Sequence, residues 1–174
     1  MSDQTNTNNS YDRQERKSPR ATFHDYSGGT YFITICTQDK NFYFGKIREG
    51  EMIYSPVGEY CKSQLEQISS HYPYAEVPLF VVMPNHIHAI IVIHNPDVPH
   101  LKKESHLPAE RTALSVVIGG LKRAVTLFAR RNNHEFGWHN RYHDHIIRGF
   151  NDGNKISEYI ENNVARWASD CFYM

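Results

Sequence analysis

Cysteine is scarce in this chain. The three present, Cys36, Cys61 and Cys171, stand far apart in 174 residues and lack metal-ligand spacing. They read as reduced thiols of a cytoplasmic protein, not as a disulfide framework. No run approaches the roughly 18–20 apolar residues of a membrane-spanning helix, and the first 20 residues are too polar for a secretory leader. No membrane partner is expected. Net charge is lacking as well, with 19 Lys and Arg against 19 Asp and Glu. Internal repeats and the phosphate-cradling motif of an ATP-using enzyme are also missing.

The composition itself is ordinary, 40% hydrophobic and 22% charged, and suits one domain with a proper core. Residues 1–22 are rich in Asn, Ser, Gln and charge and have no apolar period. They are expected to form a flexible polar tail ahead of a single domain over 23–174. The charge is unevenly spread. Residues 101–150 hold nine Lys and Arg against four Asp and Glu, whereas 29–80 hold four against six. A local basic surplus suits an anionic partner such as nucleic acid, and equally a solvated helix face.

Hydrophobic periodicity places the elements. A strand rich in β-branched and aromatic residues covers 30–37, and 42–47 with 52–54 form a small hairpin. Ser55-Pro56 opens a helix reaching about residue 70, since proline is tolerated in a first turn. Core strands follow at 77–83 and 87–93, joined by Pro84-Asn85. A surface loop over 95–111 leads to an amphipathic helix over 114–128 and a short strand over 145–148. Asp152 or Asn154 caps a last helix with the stripe Ile156, Ile160, Val164 and Trp167. Strand, helix, strand, strand, helix, strand is the ferredoxin-like βαββαβ order. The fold class expected is therefore α+β: an antiparallel sheet with helices on one face, plus a C-terminal helix.

Within the apolar run 79–93 stands His86-Ile87-His88. Side chains two apart on a strand share a face, so both imidazoles project from a surface that is otherwise buried. Two neutral imidazoles on a rigid strand are half of a divalent-metal site. A hydrogen-bonded structural pair is the plainer alternative. On the last helix Tyr159 and Asn163, four apart, share a face at the margin of the apolar stripe. A phenol there can lean over the sheet, or simply pack its ring and wet its hydroxyl. His143-Asp144-His145 is a second His-X-His, of which one imidazole is expected to pack inward and the other to be solvated.

Together these segments resemble a known family. Gly29-Thr-Tyr-Phe-Ile-Thr-Ile35, Phe80-Val-Val-Met-Pro-Asn-His-Ile-His88, Leu121-Lys-Arg123, Trp138-His-Asn-Arg-Tyr142, His145-Ile-Ile-Arg148 and Tyr159-Ile-Glu-Asn-Asn163 occur in the order seen in the single-tyrosine HUH transposases. The resemblance is to their REP-associated branch in particular and spans about residues 26–167. It implies a transposase-like enzyme of DNA transposition and recombination: a single-stranded DNA endonuclease and strand transferase that hydrolyses no nucleotide. On this resemblance His86, His88 and Asn163 hold Mg2+ or Mn2+. Tyr159 is the nucleophile, leaving a 5′-phosphotyrosine and a free 3′-hydroxyl.

His145 falls where the family has histidine and is expected to support the site from a second layer. Lys122, Arg123, Arg141 and Arg148 are candidates for phosphate contacts, with Trp138 or Tyr142 for base stacking. The implied partner is single-stranded or hairpin DNA, bound by a monomer or homodimer. Where the family often has Asn-Pro, this chain has Asn163-Val164, which removes a helix stop. The rival reading is a catalytically silent single-stranded nucleic-acid-binding module on the same sheet. A zinc hydrolase, a weaker third reading, wants a convincing third ligand.

Overall fold

The computed structural model describes residues 28–94, 112–170, 172 and 173. The tail expected over 1–22, the loop expected over 95–111 and Cys171 lie outside the described residues. Along the chain, β1 (Gly29–Cys36) is followed by the hairpin β2 (Gly45–Arg48) and β3 (Glu51–Tyr54). Then come α1 (Pro56–Glu66), the short α2 (Ile68–His71), β4 (Ala75–Met83) and β5 (His86–Ile93). α3 (Ala113–Arg131), β6 (His143–Ile146) and α4 (Phe150–Glu161) complete the order. Four strands form one antiparallel sheet in the order β4-β5-β1-β6, the ferredoxin-like arrangement.

Period-two alternation sorts the two faces of this sheet. Tyr31, Ile33 and Ile35 of β1 and Ile87, Ala89 and Ile91 of β5 join one buried cluster with α1 and α3, through Cys61, Leu65, Val117 and Leu121. The intervening residues face the other way. There, Thr34 stands opposite His88 and Cys36 opposite His86. β5 is buried on both faces because it is central. Pro78, which has no N–H to give a ladder, sits in β4 at an edge, where the register slips between Glu76 and Leu79.

Local chemistry explains where the helices begin. The Ser55 side chain accepts from the Gly58 amide at 3.0 Å, and Pro56 takes the first helical position of α1. Gly58 is required by close approach: a Cβ there would lie 2.1 Å from the Phe44 carbonyl oxygen. The single helix expected to residue 70 is broken at Gln67, and α2 turns Ile68 into the core. Thr112 caps α3 through the Ser115 amide, and Arg130 and Arg131 sit in its last turn, where cations suit the dipole. Among the described residues no helix is long and apolar enough to cross a membrane.

Three expectations near the C-terminal end are corrected. β6 lies two residues earlier than expected, pairing Tyr31–Thr34 with 143–146. Its alternation therefore puts both His143 and His145 on one face, and both are exposed; neither packs inward. Neither Asp152 nor Asn154 caps α4. Gly149, at φ 83°, holds that position, and Asp152 sits in the first turn, accepting from the Arg148 amide at 3.0 Å. The helix also ends sooner than its apolar stripe suggested. Asn162 caps it, its Nδ2 donating to the Glu158 carbonyl at 2.8 Å. Val164 thus lies beyond the helix, and Trp167 is buried on a separate 3-10 turn over Trp167–Ser169.

Candidate metal and tyrosine site

The two-residue turn Pro84-Asn85 sets His86 at the very start of β5, so the imidazole pair stands at one end of the sheet. The rings approach to 4.5 Å between centroids. Both are buried, His86 at 0% and His88 at 2% exposure. The cover comes from the C-terminal segment: the Phe172 ring lies 4.4 Å from His86, and Trp167 lies 6.1 Å away. Burial drives the His86 imidazole down to about 2, with the positive charges of His88 and Lys40 pushing the same way. Burial also takes His88 down to about 4, against the Asp170 carboxylate and a backbone bond to Ile33, which pull upward. Both rings are therefore neutral at physiological pH, the state a ligand must have.

α4 carries Tyr159 across this face, and its hydroxyl lies 3.1 Å from His88 Nε2. Phe32 steadies the arrangement, stacked on His88 at 5.2 Å and edge-on to Tyr159 at 6.1 Å. The other nitrogen of His88, Nδ1, sits 2.9 Å from Thr34 Oγ1. With Nδ1 engaged by Thr34, Nε2 is the nitrogen that faces the phenol. Within the chain, Tyr159 meets its own His88.

Two buried polar atoms lack a hydrogen-bond partner among the described residues: His86 Nε2 and Asn163 Oδ1. An orphaned buried acceptor is costly and needs an explanation. Asn163 is 3% exposed and lies past the end of α4, where its amide turns back to the Ile160 carbonyl at 3.2 Å. Its inward position thus comes from a tightened turn and not from sharing a helical face with Tyr159. Asp170 adds a carboxylate, and one ligand atom each from His86, His88 and Asp170 lies within 4.8 Å of the others. Asp170 Oδ1 accepts from the Phe172 amide at 2.7 Å. Two imidazoles, a carboxylate and an amide oxygen fit a borderline-to-hard divalent ion such as Mn2+ or Mg2+.

The remaining candidates lie elsewhere. Lys122 is on α3, in the layer on the opposite face of the sheet; its ammonium donates to the His139 carbonyl at 2.7 Å and lies 5.6 Å from the Trp138 ring. Burial pulls that ammonium below the usual lysine range. Arg123 is exposed on the same helix, and Arg141 and Arg148 are exposed near β6. His145 lies opposite Phe32 on the sheet face that carries the site, and its Nε2 meets Asp152 at 2.9 Å. The structure therefore brings His86, His88 and Tyr159 together, buries Asn163, and does not place Lys122 beside them.

Sequence reading missed Asp170, Asn85 and Phe172. Asp170 follows the last apolar anchor with no spacing pattern to mark it. Asn85 was visible inside Met-Pro-Asn-His, but only the fold shows its partners.

No protein-family model matches the chain. An uncharacterized protein of Haemophilus influenzae is 35% identical over 168 residues, covering 91% of this chain and 93% of that protein. Among solved structures, a REP-associated tyrosine transposase bound to a REP hairpin superposes with a TM-score of 0.57 at 18% identity. That match covers 87% of this chain and 74% of the transposase chain. The chain belongs to one family with the Haemophilus influenzae protein, and its fold is that of the tyrosine transposases its motifs resemble.

Proposed function

We propose that this protein is a transposase-like, divalent-metal-dependent enzyme that nicks and rejoins single-stranded or hairpin DNA through Tyr159. One observation carries the reading: the phenol of α4 lies 3.1 Å from an imidazole of a buried His-X-His pair. A structural tyrosine has no need of a neutral, desolvated histidine pair beneath it. The fold shared with a transposase bound to a REP hairpin supports the choice of DNA.

His86, His88, Asp170 and Asn163 are the residues that would hold the ion. Bound there, such an ion would polarise the scissile phosphate and offset charge built up in the transition state. The chain's own residues do the rest. Tyr159 supplies the oxygen; a free phenol near pKa 10 is phenolate in roughly one molecule in a thousand at neutral pH, so its surroundings must favour loss of the proton. As the Oη–P bond forms, the bond from phosphorus to the 3′ oxygen breaks, and that oxygen leaves as a 3′-hydroxyl after gaining a proton. The phosphodiester is retained as a 5′-phosphotyrosine, so the reverse reaction reseals or transfers the strand without nucleotide hydrolysis. Phe32, edge-on to the ring, holds the nucleophile's direction.

The test incubates the full chain with hairpin-bearing oligonucleotides and Mn2+ and looks for a covalent adduct on a denaturing gel. Wild type forms one; Tyr159→Phe and a folded His86→Ala do not. Tight binding with no adduct from wild type would establish the silent binding module instead, and cleavage without a covalent species would establish a hydrolase.

A further inference from the structure

Asn85 is the second residue of the turn into β5 and is fully buried, at 0% exposure. Its backbone carbonyl accepts from both the amide and the hydroxyl of Thr37, at 2.9 Å each, which pins the turn to the end of β1. Its side chain makes three further contacts. Nδ2 lies 2.9 Å from the Phe172 carbonyl oxygen and 3.2 Å from that of Lys40, and Oδ1 lies 2.9 Å from His86 Nδ1.

We propose that Asn85 is a positioning residue that sets the His86 tautomer and anchors the segment bearing Asp170. The amide has one tenable orientation, because reversing it would set Oδ1 against two carbonyl oxygens. Oδ1 can only accept, so the proton of His86 must sit on Nδ1. Nε2 is then left with a bare lone pair, and it is the atom that has no partner among the described residues. A ligating histidine is oriented in this way when its second nitrogen donates to a fixed acceptor. The same amide ties down Phe172, two residues past Asp170, whose carboxylate completes the three-residue cluster. An asparagine serving the turn alone would bond neighbouring backbone. This one links a candidate ligand on the sheet to a chain segment more than 80 residues away.

The inference rests on the metal-binding reading above, yet its main readout needs neither metal nor DNA. In the metal-free full chain, 15N spectra of labelled histidine at neutral pH should show His86 protonated at Nδ1 and bare at Nε2. Asn85→Ala should lose that single pattern and bind Mn2+ about 10–100-fold more weakly, the usual cost of losing such a partner. Asn85→Asp keeps the acceptor and loses the donor. It should preserve the tautomer while amide exchange speeds up at Phe172 and Tyr173.

A folded Asn85→Ala with an unchanged His86 pattern overturns the proposal. So does an Asp variant that loses the tautomer, or one whose exchange at Phe172 stays at the wild-type rate. Should the alanine variant fail to fold, the Asp variant decides alone by the same two readings. A wild type that shows the tautomer but forms no adduct sinks the proposed activity and leaves this inference standing.

Discussion

Tyr159→Phe separates two uses of a single lone pair. In the structure His88 Nδ1 is engaged by Thr34, so Nε2 is the nitrogen that would be left for a cation. The Tyr159 hydroxyl sits on that same nitrogen at 3.1 Å. An ion must displace this hydrogen bond to bind, and the net worth of such a bond is about 0.5–1.5 kcal/mol. Removing the hydroxyl while keeping the ring against Phe32 therefore lifts a competitor from the site. Mn2+ should bind the Phe variant roughly two- to tenfold more tightly, at about 1.4 kcal/mol per decade. Isothermal titration of both proteins at one pH measures it, and the same variant should form no covalent adduct. Mn2+ affinity that falls in Tyr159→Phe would refute the reasoning, because it would make the phenol oxygen a ligand and not a rival.

Further outcomes follow from the same geometry. Asp170→Asn should weaken Mn2+ binding about tenfold or more, measured by titration, while the 3.1 Å contact of Tyr159 with His88 keeps its effect on Tyr159 spectra. Acid should destabilise the metal-free protein. The folded-state values of about 4 for His88 and about 2 for His86 lie below the ordinary 6.5, so the unfolded chain binds more protons below pH 6.5. Stability is full above pH 6.5 and is lost as the pH falls through the window down to 4 and then 2. The slope is roughly 1 kcal/mol per pH unit for each imidazole, seen as a falling urea midpoint; a midpoint flat from pH 7 to 4 would contradict it. Gly58→Ala forces a Cβ to 2.1 Å from the Phe44 carbonyl. It should cost about 1–3 kcal/mol by overpacking, read as a lower melting temperature with β5 unaltered.

Strand and helix order were legible because their signals are local. The period-two run of β1, the Ser55-Pro56 start of α1 and the stripe of α3 each depend on neighbours a few residues away. Where the reading slipped, a distant partner or an unrecognised local cap had decided the matter. β6 took its register from β1, which moved it two residues and turned both His143 and His145 outward. α4 ended at Glu161 because Asn162 caps it, although the apolar stripe ran on to Trp167.

For the site, the sequence alone determined that His86 and His88 share a face, because strand geometry permits nothing else two residues apart. The resemblance to the tyrosine transposases is what singled out Tyr159 and Asn163 for attention. Tertiary structure decided the rest. It brought a phenol from one end of the chain onto His88, buried Asn163 with its Oδ1 lacking a hydrogen-bond partner among the described residues, and carried Asp170 and Phe172 back over the imidazoles. These contacts join residues some 70 to 87 positions apart. No local pattern encodes such distances; only the packing of α4 and the following segment on the open sheet face fixes them.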